Sequence, residues 1–174
     1  INKHMYLSQY IPFYKKNLKI AIPIILSQLG GGLVTVVDTI MVGHLGTVEL
    51  AAASFANSIF LIGFVFSIGL TMAITPLVGK AYAEKKGKEI VELFQNSFLF
   101  VIIMAVLIMI ILLLAYFFMD YMGQQITVVE LAKPYYILLI ISLFPFLMFS
   151  VYKQFVEGLG NTAVAMYITI IANI

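Results

Sequence analysis

Residues 18–42, LKIAIPIILSQLGGGLVTVVDTIMV, decide the fold. A helix crosses the hydrocarbon core of a bilayer with about 20 predominantly apolar residues, and this stretch has that length. Its one carboxylate is Asp38. An ionised Asp at the centre of a spanning helix costs roughly 2.5–3.5 kcal/mol on insertion scales. A span that keeps one is expected to use it on an ion, a proton or a cationic substrate. The other seven acidic residues, Glu49, Glu84, Glu89, Glu92, Asp120, Glu130 and Glu157, lie in loops or near the ends of apolar runs.

Outward from this stretch the pattern repeats. Further apolar runs cover residues 51–78, 94–119 and 134–155, and a fifth begins at 163 and reaches 174 about half a span in. The chain has 174 residues, 63% hydrophobic and 10% charged, against roughly 25% charged in soluble domains. The expected fold is an all-α integral membrane protein, a polytopic helical bundle of about four and a half spans. Residues 1–17 form an N-terminal segment ahead of it. The first run is of span length and lacks a small-residue cleavage site, so it reads as a span and not as a signal peptide. With no cysteine there is no disulfide framework, thiolate nucleophile or Cys-based metal site. All ten basic residues are Lys and the net charge is +2, too little to imply a nucleic-acid partner.

The lysines set an orientation. Lys3, Lys15, Lys16 and Lys19 precede or open the first span, the next connector has none, and the one after carries Lys80, Lys85, Lys86 and Lys88. Lys133 and Lys153 follow singly. By the positive-inside rule the N-terminus is cytoplasmic, which places Asp38 in the outer half of the first span. Tyr6, Tyr10, Phe13 and Tyr14 sit among the first lysines. They read either as an interfacial lead-in with aromatic anchoring or as an ordinary frayed terminus.

At 100° per residue, Gln28, Gly31, Gly32, Thr35, Asp38 and Thr39 share one arc of the first span. Lipid cannot satisfy such a stripe, so it is expected to line a cavity or meet a partner helix. Small residues alone would indicate packing; Asp38 and Gln28 favour a functional lining. Pro23 removes one helical hydrogen bond and offers a bending point. Ser54, Asn57 and Ser58 give the second span a polar outer end near the level of Asp38. Gly63, Ser67 and Thr71 read as packing, and Pro76 is expected to close that helix. The third span is apolar all round, a lipid-facing scaffold. The fourth brings Tyr136, Ser150, Gln154 and Glu157 to one side, with a kink at Pro145. Tyr136 lies at the level of Asp38, and its hydroxyl suits a carboxylate. Lys153 and Glu157 are expected to form a solvated i,i+4 pair. No metal-ligand spacing surrounds His44. No Walker loop, nucleophile elbow, kinase signature or HExxH is present, so no enzyme chemistry is indicated.

Three segments, in order, resemble the multidrug and toxic compound extrusion (MATE) family of secondary transporters. The first is Ile22-Pro23 followed by Val37-Asp38-Thr39-Ile40-Met41-Val42-Gly43-His44-Leu45-Gly46. The second is Gly69-Leu70-Thr71-Met72-Ala73-Ile74-Thr75-Pro76-Leu77-Val78-Gly79-Lys80-Ala81. The third is Gln154-Phe155-Val156-Glu157-Gly158-Leu159-Gly160-Asn161-Thr162, preceded by Tyr136 and Pro145. The resemblance implies a twelve-helix transporter of two pseudo-symmetric six-helix lobes. It would sit in the cell membrane, the inner membrane of a bacterium. It would export cationic or amphipathic organic compounds in exchange for Na⁺ or H⁺, with no other cofactor. The resemblance makes Asp38 the cation or proton site, and a possible Na⁺ ligand, helped by Tyr136. It makes Pro23 the bending point, and adds Asn173 to the cation or proton site as the first residue of an Asn-rich stretch on the fifth helix. On this reading Gln28, Thr35, Thr39 and Asn57 line the cavity. The sixth helix and the C-terminal lobe would be partners supplied by further chain, and four and a half helices would not transport alone.

Two other classes are weighed against an exporter. A lipid-linked precursor flippase of related architecture needs a strongly basic central cavity, whereas here every Lys lies at a membrane edge. A non-transporting membrane scaffold would use the stripe only to pair helices, and a stripe free of charge would suit it better.

Overall fold

The computed structural model describes residues 3–164, 166 and 167, and within these it leaves aside the side chains of 3–13, 15, 16, 19, 20 and 27. Every regular element among the described residues is helical. The order is α1 (Lys3–Gly43), α2 (Thr47–Met72), α3 (Ile74–Ala83), α4 (Gly87–Phe118) and α5 (Ile126–Gly158). Thr162–Val164, Met166 and Tyr167 are also helical. Four stretches are long and apolar enough to cross a membrane: Ala21–Gly43, Thr47–Ala83, Gly87–Tyr121 and Ile126–Gly158. The helices are longer than the apolar runs, because polar residues at a membrane surface still complete their backbone hydrogen bonds within the helix. Among the described residues α1 runs unbroken from Lys3 through Pro23 to Gly43.

Pro76 does not close the second helix. The break falls at Ala73, and α3 continues for ten residues to Ala83. Pro76 is the third residue of α3, within the first turn, where the missing N–H has no intrahelical acceptor to lose. The fourth span likewise starts at Ile126, not at Pro134, and α5 holds both Pro134 and Pro145 inside it.

The core lies between α2, α4 and α5, with α3 packed on the lower part of α5. Val101, Ala105, Ile108 and Leu112 form the one fully buried row of α4, at helical spacing, and the rest of that helix stays partly or fully exposed. Ser67 and Thr71 of α2 are buried and turn their hydroxyls onto their own helix, at Gly63 O and Ile68 O. Where lipid is as apolar as the side chains, such small residues gain stability from close van der Waals packing. Phe64–Phe146 (5.0 Å between centroids) and Phe94–Phe155 (4.7 Å) tie α2 and α4 to α5. At the end of α4 away from the lysine-rich turn, Lys133 reaches both oxygens of Asp120 at 2.7–2.8 Å. In the α3–α4 turn, Lys86 meets Glu84 at 2.7 Å and Glu89 at 3.2 Å. Lys86 holds the Glu84 carboxyl below its ordinary value, and the two carboxylates raise the Lys86 ammonium above its own.

Among the described residues α1 packs only against α2, and no part of its span is fully buried. It therefore stands beside the α2–α4–α5 body and leaves an open cleft between itself and α5.

Candidate functional site

The cleft has a volume of about 590 Å³. From α1 it is lined by Gln28, Gly31, Gly32 and Thr35, the lower half of the polar stripe. From α2 come Phe64, Ile68, Thr71 and Met72, and from α5 Phe146, Phe149, Ser150, Lys153 and Gln154. Gln28 and Thr35, expected from sequence to face a cavity, are in this lining. Asp38 and Thr39 lie beyond this lining, toward the end of α1 that leads into α2. One helical turn rises about 5.4 Å, so Asp38 stands just above the mouth of the cleft. Its residue is exposed, on a face of α1 that nothing among the described residues covers. The threonines do not compete for it. Thr35 donates to Gly31 O at 3.2 Å and Thr39 to Thr35 O at 2.8 Å, so both protons are spent on their own helix.

Asn57, ten residues into α2, is at the same end of the bundle as Asp38 and is exposed. Its partner is Tyr135, whose hydroxyl donates to Asn57 Oδ1 at 3.5 Å. This corrects the expectation for the neighbouring tyrosine. Tyr136 is fully buried, and its hydroxyl donates to the backbone carbonyl of Leu112 at 3.0 Å. It is a bolt between α4 and α5, not a partner for Asp38. Two residues adjacent on a helix point about 100° apart, and the core claims Tyr136 while Tyr135 meets Asn57 of α2. Tyr136→Phe should therefore cost about 0.5–1.5 kcal/mol of stability, the net worth of one hydrogen bond, whereas Tyr135→Phe, which loses only the exposed 3.5 Å contact with Asn57, should leave stability nearly unchanged. Thermal unfolding of the two variants, side by side, checks the distinction.

At the lower end of the cleft, Gln154 of α5 is held by Thr75 of α3. The Thr75 hydroxyl sits between the backbone carbonyl of Gln154, at 3.1 Å, and that residue's side-chain amide. Lys153 and Glu157 are not the solvated pair that their spacing suggests. Their side chains are only 21% and 13% exposed, with 4.0 Å between Nζ and Oε1. Sequence reading passed over Lys153, Phe146 and Phe149 as lining. The signal was present in the spacing 146, 149, 150, 153, one row of a helix face. Asn173 lies outside the described residues. Among the described residues no three His, Cys, Asp or Glu side chains gather as a metal site.

Comparison with known proteins agrees with this architecture. The MatE family model matches residues 23–174. The chain is 32% identical over 155 residues to a probable multidrug resistance protein NorM of Streptococcus pneumoniae, covering 88% of this chain and 34% of that protein. It is 32% identical over 157 residues to a probable NorM of Bacillus subtilis, covering 90% and 35%. To the multidrug resistance protein NorM of Photobacterium profundum it is 32% identical over 160 residues, covering 90% and 35%. Among solved structures, a MOP superfamily transporter from Pyrococcus furiosus shares the fold with a TM-score of 0.81 at 23% identity, over 91% of this chain and 35% of that one. So does an outward-facing multidrug resistance MATE family transporter, also at 0.81 and 23%, over 91% and 36%. The chain thus spans about a third of the length of the curated relatives it matches.

Proposed function

The chain belongs to the MatE family, and from that premise we propose that the complete protein is a secondary active exporter and not an enzyme. It moves cationic or amphipathic organic compounds out of the cell against an inward flow of Na⁺ or H⁺. The observation that carries this reading is the carboxylate of Asp38, on the polar face of α1 that continues downward as the lining of the cleft. A proton and a Na⁺ compete for one carboxylate, since each favours a different charge state of it. Binding either changes what the face of α1 attracts, and Pro23, inside that helix, is where it would bend. The lysine pattern supports a cytoplasmic N-terminus. The remaining helices and a second lobe, absent from these 174 residues, supply the other wall of the site, because alternating access needs one repeat to move against another.

The test is transport by the complete protein in liposomes loaded with tetraphenylphosphonium. Outward flux of the cation should rise with an imposed Na⁺ or pH gradient of the coupling direction and fall to the passive leak when an ionophore collapses it. A flux indifferent to both gradients would remove the antiport reading.

A further inference from the structure

The α3–α4 turn joins two apolar stretches of spanning length, Thr47–Ala83 and Gly87–Tyr121, so it lies at a membrane surface. A cavity of about 440 Å³ opens beside it, lined by Tyr82, Ala83, Lys85, Gly87 and Ile90. Sites for small molecules span roughly 300–1,000 Å³. Among the described residues, Lys85 is the one charged member of this lining. The carboxylates nearest to it in sequence are already engaged: Lys86 holds Glu84 at 2.7 Å and Glu89 at 3.2 Å. Lys85 itself has no ion pair among the described residues, so its three N–H donors are open to a ligand. The backbone is also unusual there. The Lys85 N–H donates to Tyr82 O at 3.1 Å and the Lys86 N–H to Ala81 O at 3.0 Å, the paired bonds that end a helix on one left-handed residue, usually glycine. Lys85 takes that place with φ at 57°, a conformation that a Cβ disfavours. A lysine thus stands where glycine would be less strained.

We propose that this cavity binds an anionic phospholipid of the adjoining leaflet, with Lys85 on its phosphate and Tyr82 and Ile90 against the glycerol and the upper acyl chain. The ammonium meets the phosphate in a charge-assisted hydrogen bond. The aromatic ring of Tyr82, exposed at this level, suits the membrane–water interface. A zwitterionic lipid also carries a phosphate, but its own cation finds no free carboxylate here, because Glu84 and Glu89 both face Lys86. An anionic lipid gains the Lys85 charge with nothing to offset it. One lysine at a membrane surface adds about fivefold to the affinity for anionic lipid. The positive-inside reading puts this turn on the cytoplasmic side, where the leaflet is negative. The site is separate from the cleft between α1 and α5 and does not depend on what the cleft carries.

The probes are phosphatidylglycerol and phosphatidylcholine with the same fluorescent acyl chain, titrated by anisotropy into the complete protein in detergent. Phosphatidylglycerol should bind more tightly. Lys85→Gly should weaken it by about fivefold and change phosphatidylcholine by less than about twofold. Lys85→Gln should do the same, while Lys85→Arg keeps the preference. Without lipid, the unfolding midpoint of Lys85→Gly should hold or rise, since glycine relieves the left-handed backbone; this separates loss of lipid from loss of fold. Lys88 stands two residues before Ile90, about 200° around α4 from it, so Lys88→Gln should leave both lipids within about twofold. Equal losses in Lys85→Gly and Lys88→Gln would mean diffuse surface charge and overturn the site. So would equal affinity for the two lipids in the unaltered protein, or displacement of phosphatidylglycerol by millimolar inorganic phosphate, the mark of a simple anion site.

Discussion

Asp38→Asn in the complete protein is expected to abolish gradient-driven efflux while leaving expression and membrane insertion intact. Asn preserves the size and one carbonyl oxygen of the side chain but cannot carry charge. Its insertion into the bilayer is easier than that of the carboxylate, so a folding defect is not the expected result. What disappears is the group to which the exporter reading assigns the exchange of a proton or a Na⁺. Flux should fall to the passive leak, and an imposed Na⁺ or pH gradient should no longer change it. The neighbouring polar residues give the contrast. The hydroxyls of Thr35 and Thr39 are bonded to Gly31 O and Thr35 O, so Thr39→Ala should lower the rate by only a few-fold, in line with the ~1 kcal/mol net value of one such bond. Efflux in liposomes, measured for both variants at matched protein content, separates the two effects. Undiminished coupled efflux by Asp38→Asn would take the ion role away from that residue.

The spans and the stripe on α1 were legible because hydropathy and the 3.6-residue period depend on the chain alone. The register between helices was not. Tyr136 shares a helix side with Ser150 and Gln154, so a helical wheel offered it for the groove, yet the side that gathers these residues is largely the packing side of α5. The decision between Tyr135 and Tyr136 lies in how α4 approaches α5, where Leu112 O waits for a hydroxyl. Proline misled for a related reason. Read singly, Pro76 and Pro134 are boundary signals, but each is absorbed in a helix, Pro76 within a first turn and Pro134 nine residues into α5. The Lys153–Glu157 spacing predicts that the two can pair but not how deep they lie, since burial of a helix end depends on what packs against it. Asp38 stood out from its cost in hydrocarbon, an argument that needs no neighbours. The pairing of Tyr135 with Asn57 needed the structure.

Gly158→Ala is expected to cause the largest loss of stability from one added methyl group in this part of the protein. Gly158 lies where α5 packs tightly on α3: a Cβ there would stand 2.8 Å from Val78 Cβ, 3.0 Å from Val78 Cγ1 and 3.0 Å from Thr75 O. A flexible side-chain tip could swing away, but a backbone oxygen and the Cβ of a fully buried valine move only if α3 moves. Overpacking of this kind costs about 1–3 kcal/mol. The displacement would also strain the adjoining contacts of Thr75 with Gln154, a residue of the cleft lining. Thermal unfolding of the purified complete protein should show a midpoint lower by several degrees, and Gly158→Val should fail to yield folded protein. Gly69, inside α2, meets nothing within 4 Å of the same added atom. Gly69→Ala should therefore hold or raise the midpoint, because alanine is favoured over glycine within a helix by roughly 0.5–1 kcal/mol. Val78→Ala combined with Gly158→Ala would recover only part of the loss. It removes the Cγ1 contact but keeps the Cβ and leaves Thr75 O where it was. An unchanged midpoint in Gly158→Ala would mean that α3 and α5 are not in contact there.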